Sequence, residues 1–421
     1  MKPTTKISML LLFAATLFSC TSEDKQLELT GKVLNPETKS ILLTKPGQDL
    51  RFDSIIRIPV ENGEFHYSAK LDYPEGVELM TGEDILDGQM AYSVVFLENE
   101  KINLTIYPED EFKKNIVEGG KLNAEYKKYN DHMYSQYYDK ADSIDNIIES
   151  LEEKGLYFSD TTKVIMAELE KVESREEQKQ IYEKLDVLHE LGLALTPEGK
   201  RLEDERDRIY KESFKQTQVY VKENSTLVSY YFFLRKLLSN GQKNDIDIAE
   251  ARKDYKRFSD AHPKHPYNIL AINSIDAIDN IKVGKKYVDF SAPDMDGKQI
   301  KLSDEIAGKV ALLDLWATWC GSCIRHSREM IPVYNEFKDK GFTIVGVAGE
   351  FKSTDKLVKF MEKNKWAWLN LVELDRQNNI WQKYGVDNSG GGIFLIDKDG
   401  TIIAINPTAE EVRKELDKRL R

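Results

Sequence analysis

Positive charge is not in excess in this chain. It carries 60 lysines and arginines against 72 aspartates and glutamates, a net charge of −12 over 421 residues. That disfavours a nucleic-acid partner, because phosphate binding needs a basic footprint. The acidic residues are spread widely and read as a solvated surface. Histidine is scarce, with six in all. His262 and His265 in "HPKHP" lie in a proline-broken loop and are too few to hold zinc. "HELGL" at His189 lacks the second histidine of a zinc-protease helix. No internal repeat or long heptad array is present, which argues against an extended coiled coil. Cysteine is the scarcest of these, with three residues: Cys20, Cys320 and Cys323. Hydrophobic residues make up 41% of the chain, enough for two or three packed domains.

One long apolar run stands at the N-terminus, "ISMLLLFAATLFS", preceded by Lys2 and Lys6. It is too short for a permanent spanning helix and suits a secretory h-region. The residues "LFSC", ending at Cys20, resemble a bacterial lipobox. The resemblance implies that residues 1–19 are a signal peptide. Cys20 would then carry diacylglycerol, and the acyl chains would anchor the protein to a membrane. An ordinary signal peptide that contains a cysteine is the alternative. No aspartate follows Cys20 directly, which resembles an outer-membrane lipoprotein of a Gram-negative cell facing the periplasm or the surface. Such a compartment permits disulfides. With Cys20 lipidated, the lone pair Cys320 and Cys323 reads as chemical rather than structural.

Residues 26–117 read as strands. "LELTGKV", "SILLTK", "GEFHYSAKL", "YSVVFLE" and "INLTIYP" are short and partly alternating, punctuated by Asn35-Pro36 and Glu61-Asn62-Gly63. They predict an all-β sandwich or barrel. The layout resembles an N-terminal β domain of unknown role that precedes thioredoxin-like modules. Residues 122–279 turn helical, with Ile144, Ile147, Ile148 and Leu151 at helical spacing. "LTPEGK" predicts a helix start with Thr196 as cap and Pro197 in the first position. "NSTLVSYYFFLRKLL" predicts a buried helix capped by Asn224 or Ser225. Residues 283–421 alternate strand and helix and finish in a hairpin, which implies an α/β domain with a mixed sheet.

Within that last part, "LLDLWATWCGSC" followed by "GIFLIDKDGTI" resembles the thioredoxin fold. More narrowly, it resembles the membrane-anchored thiol–disulfide interchange proteins of bacterial envelopes. The resemblance covers roughly the last third of the chain, and a C-x-x-C after a buried strand is its specific feature. It implies that Cys320 opens a helix, where unpaired N–H groups and the helix dipole favour its thiolate. Cys323, one turn on, would resolve the mixed disulfide. Asp314 matches the buried acid that relays the resolving thiol's proton; a polar strand end facing solvent is the alternative. Trp319 matches the ring beside the dithiol, whereas Trp316 reads as core. His326, Arg325 and Arg328 add positive charge near the helix start, or simply form an exposed face.

One departure stands out. The family's cis-proline position falls on Gly391, inside Gly390-Gly391-Gly392. A cis bond is not expected at a non-proline residue. The triplet reads as a permissive loop beside the substrate, and loss of the proline makes adventitious metal binding at the dithiol more plausible. A peroxidase is disfavoured, because Leu313 and Ala317 stand where peroxiredoxins carry proline and threonine.

The resemblance implies an enzyme that reduces or isomerises disulfides of exported proteins. It needs an upstream electron donor and no cofactor beyond its own sulfurs. The competing reading is a ligand- or protein-binding lipoprotein whose thioredoxin-like part is a redox-inactive scaffold.

Overall fold

A computed structural model describes residues 25–420 apart from 50, 82–91, 170, 173, 240–245 and 387–389. The signal-peptide and lipidation expectations, Cys20 included, lie outside the described residues. Among the described residues no helix is long and apolar enough to cross a membrane.

Eight strands come first: β1 (Leu27–Val33), β2 (Ser40–Thr44), β3 (Ile56–Pro59), β4 (Glu64–Ala69), β5 (Glu75–Thr81), β6 (Ser93–Leu97), β7 (Lys101–Ile106) and β8 (Ile116–Glu118). They form two four-stranded sheets in the orders β4-β1-β7-β8 and β3-β2-β5-β6. In β1 buried side chains alternate with more exposed ones, as in a strand with one face on a core. Leu27 and Leu29 from one sheet share a cluster with Ile41, Leu43, Val77 and Val95 from the other, so the sheets close a sandwich.

The sequence reading missed β3, β5 and β8. In β5 the reason is burial on both faces, which erases the alternating pattern. Its outer face is covered by helices. A Cβ built on Gly76 would come within 2.7 Å of the Tyr231 ring, so the strand needs glycine there for close approach.

The helical part holds Lys121–Met133, Asp139–Glu153, Asp160–Leu169, Arg175–Glu190, Pro197–Glu223, Leu227–Leu238, Ile248–Ala261 and Tyr267–Asn280. Thr196 caps its helix through Oγ1, which accepts from the Gly199 N–H at 3.2 Å. The next cap corrects the sequence reading. Thr226, not Asn224 or Ser225, accepts from the Ser229 N–H at 3.3 Å. The Asn224 amide instead donates to the Tyr220 carbonyl at 2.8 Å and closes the preceding helix. In the first apolar stripe Ile144 and Ile148 are buried, whereas Ile147 is 48% exposed. His265 of "HPKHP" places Nε2 2.9 Å from the Pro74 carbonyl, tying the helices to the sandwich.

The C-terminal part adds β9 (Ser291–Pro293), β10 (Gln299–Lys301), β11 (Val310–Trp316), β12 (Phe342–Glu350), β13 (Leu369–Leu374), β14 (Gly392–Ile396) and β15 (Ile402–Ile405). Its five-stranded sheet runs β13-β12-β11-β14-β15. β11 pairs parallel with β12 and antiparallel with β14, which makes β11 central. Every residue of β11 is buried, so both its faces are covered. The sequence reading missed β13 because it carries Asn370 and Glu373, both buried. Each is satisfied. Asn370 Oδ1 accepts from Trp316 Nε1 at 2.9 Å, and Glu373 accepts from the Ile380 and Trp381 N–H groups at 2.7 and 3.2 Å. The architecture is therefore a β sandwich, a helical middle and a thioredoxin-like α/β domain.

Candidate active site

β11 ends at Trp316, and a short turn leads into the helix Gly321–Phe337. Two anchors fix the turn. The Thr318 N–H and hydroxyl donate to the two oxygens of Glu350 at 2.8 and 2.9 Å. Trp319 Nε1 donates to the Gly349 carbonyl at 3.0 Å. Burial pushes the Glu350 carboxyl up, and its two bonds to Thr318 oppose that. Sequence reasoning missed Glu350, because it ends a strand far from the dithiol in the chain.

Cys320 caps the helix and is joined to Cys323 by a disulfide. The Cys323 N–H points at Cys320 Sγ at 3.3 Å, and Ser322 Oγ lies 3.5 Å from the same sulfur. These donors and the positive end of the helix dipole face Cys320 Sγ, a setting that favours negative charge on that atom.

Asp314 lies in the middle of β11 and is 1% exposed. Its Oδ2 sits 2.7 Å from Ser327 Oγ, which is also 3.0 Å from the Cys323 carbonyl. Its Oδ1 is buried without a hydrogen-bond partner. Burial pushes its pKa up to about 6, against the Ser327 hydroxyl and the nearby His326. The solvent-facing alternative for Asp314 is thereby removed. His326 is not freely exposed either: its Nε2 lies 2.9 Å from the Pro407 carbonyl. Arg325 and Arg328 are exposed. Trp316 is fully buried, as core. Among the described residues no group of three His, Cys, Asp or Glu side chains is placed to hold a metal ion.

The glycine triplet corrects another expectation. None of Gly390, Gly391 and Gly392 has a positive φ, so conformational licence does not explain them. For two of them the cause is space. A Cβ on Gly391 would lie 2.2 Å from the Leu315 carbonyl oxygen and 2.6 Å from Cys323 Sγ. One on Gly392 would lie 2.5 Å from Val386, whereas Gly390 is open. The backbone at 391 thus packs flush against Cys323 Sγ. Among the described residues no peptide bond is cis. Gly391→Ala is expected to lower the stability of the oxidised protein by about 1–3 kcal/mol through overpacking, read as a drop in Tm. An unchanged Tm would contradict this packing.

The sandwich reaches this site, which nothing in the sequence signals. Phe52 stacks on Phe351 with ring centres 4.4 Å apart and lies 4.6 Å from Trp319. The Arg51 guanidinium sits 4.8 Å from the Phe52 ring centre and 5.6 Å from that of Trp319. Asp53 and Arg376 form an ion pair at 2.9 Å.

A parallel–antiparallel sheet with a disulfide at the mouth of its central strand, beneath a helix start, defines a thioredoxin-like protein. The AhpC/TSA family matches residues 283–405, and a family described only as a domain of unknown function matches residues 27–126. The thiol-disulfide oxidoreductase ResA of Bacillus thuringiensis (strain Al Hakam) is 33% identical over 125 residues, covering 30% of this chain and 69% of that protein. The ResA of Geobacillus kaustophilus is 33% identical over 141 residues, covering 32% and 78%. The solved thioredoxin domain of a thiol-disulfide oxidoreductase from Bacteroides vulgatus is 25% identical and covers 34% of this chain and 100% of that domain, with a TM-score of 0.31. Through its C-terminal domain the chain belongs to the family of ResA-like thiol-disulfide oxidoreductases.

Proposed function

We infer that the chain exchanges electrons with disulfides of exported proteins through Cys320 and Cys323. In the reducing direction the Cys320 thiolate attacks one sulfur of a substrate disulfide. A mixed disulfide forms and one substrate thiolate leaves. Asp314, as carboxylate, takes the proton of the Cys323 thiol, and Cys323 attacks Cys320 Sγ. The second substrate thiolate leaves, and the chain keeps the Cys320–Cys323 disulfide. Two electrons have passed to the substrate, and a thiol donor resets the pair. Trp319 and the Gly390–Gly392 loop are assigned to the substrate side of the dithiol. Cys20 is assigned as the lipid anchor holding the protein at an envelope membrane.

The observation that carries this reading is the contact between Cys320 Sγ and the Cys323 N–H at the start of a long helix. The test is an alkylation gel shift on full chain equilibrated in glutathione buffers. Two thiols titrating together and reversibly are expected. Absence of the disulfide at every poise would support the scaffold reading instead. For the anchor, labelled palmitate is expected to enter wild type and not Cys20→Ala. Label in both would remove that assignment.

A further inference from the structure

Phe52 belongs to the loop between β2 and β3, and that loop is braced from within. The Phe52 and Asp53 N–H groups donate to the Asp49 carbonyl at 3.1 and 2.9 Å. The Asp49 N–H donates to Asp53 Oδ2 at 2.6 Å. The Phe52 ring is therefore presented to Trp319 and Phe351 by a fixed turn. Its neighbour Asp53 accepts from Arg376 Nη1 through both oxygens, at 2.9 and 3.0 Å.

The receiving face of the redox domain is built at a conformational cost. Phe351 and Arg376 sit on the loops that follow β12 and β13. There Lys352, Asp375 and Arg376 hold φ values of 67°, 49° and 56°. Such backbone is uncommon outside glycine and persists where the surroundings over-determine it. Two bonds do so. The Lys352 N–H donates to Asp375 Oδ1 at 2.9 Å, and the Asp375 N–H donates to the Glu350 carbonyl at 2.9 Å. Glu350 is the residue whose carboxylate grips Thr318 in the turn before Cys320. The docking face and the turn that carries the nucleophile thus share one anchor.

Trp319 stands one peptide before Cys320, so the pose of its ring and the geometry of the turn are coupled. Its own domain supplies the bond from Nε1 to the Gly349 carbonyl and a contact with Trp381 at 5.8 Å. The sandwich supplies a closer ring contact, Phe52 at 4.6 Å.

We propose that Phe52 is a positioning residue of the oxidoreductase: from the sandwich it fixes the Trp319 ring, and through that ring the turn that presents Cys320 to a substrate disulfide. The proposal rests on the oxidoreductase reading above. Small displacements of a reacting atom are costly in rate, up to about 10²-fold for 1 Å.

The test is a double-mutant cycle on full-length protein, read as kcat/KM for insulin reduction: wild type, Phe52→Ala, Trp319→Ala and the double variant. Phe52→Ala is expected to lose about tenfold, and the double variant to lose no more than Trp319→Ala alone. Phe52→Tyr, which keeps the ring, is expected to stay within about twofold of wild type. The Asp53–Arg376 pair is left in place throughout. A wild-type rate in Phe52→Ala overturns the proposal, even where its Tm falls, because Phe52 would then be domain glue alone. Losses that multiply in the double variant overturn it too, since Phe52 would not act through Trp319. Phe52→Leu, which keeps apolar bulk without the ring, carries the same comparison if the alanine variant misfolds. A wild-type protein that does not reduce insulin sinks the oxidoreductase reading itself, and the proposal falls with it.

Discussion

Cys320→Ala is expected to lower insulin reduction by roughly 10³-fold or more, because the atom that attacks the substrate is gone. Cys323→Ala is expected to behave differently. It keeps the nucleophile, so a mixed disulfide between Cys320 and the substrate accumulates and stays trapped. Non-reducing gels separate the two outcomes. The asymmetry follows from geometry: Cys320 caps the helix and faces its donors, whereas Cys323 backs onto Gly391. Full activity in Cys320→Ala would falsify the assignment of the dithiol.

The second large effect concerns Asp314, whose pKa is raised from 3.8 to about 6 by burial. The native state therefore binds this proton more tightly than the unfolded chain. Between about pH 4 and pH 6 the folded protein holds more protons than the unfolded one, so stability falls as pH rises through that window. Above it the whole cost of the buried charge is present. Below it the cost is absent. Asp314→Asn removes the charge. It is expected to raise stability at pH 8 by about 1–3 kcal/mol and to change little at pH 4. The same substitution removes the base for the Cys323 proton, so resolution of the mixed disulfide is expected to slow by roughly 10²-fold at pH 7. Urea unfolding at the two pH values and a single-turnover assay read both effects. A stability gain of equal size at both pH values would show that the buried charge is not its source.

Much of the redox domain was legible because its signals are local. A fully apolar strand, a C-x-x-C and a helix start follow one another within about twenty residues. Asp314 was found by its offset from Cys320. The cap at Thr196 was legible because one hydroxyl and one proline mark it. What stayed hidden depends on partners distant in sequence. β5 and β13 escaped because burial on two faces, or buried polar residues with remote partners, blurs the period that marks a strand. Glu350 looks like any strand-end carboxylate until Thr318 is placed beside it. Phe52, Asp53 and Arg376 carry no motif at all, since their pairing spans three hundred residues of chain. The glycine triplet was read as looseness because sequence shows a missing side chain without showing which neighbour excludes it.

The contact of Phe52 with Trp319 and Phe351 bears on how this protein should be cut for experiments. A fragment beginning near residue 283 keeps both cysteines and the whole five-stranded sheet. It also strips the aromatic cover from Trp319, the neighbour of Cys320, and leaves Arg376 without its counter-ion. Redox potentials or partner preferences measured on such a truncation would describe a different mouth, wetter and more cationic than the one the intact polypeptide presents.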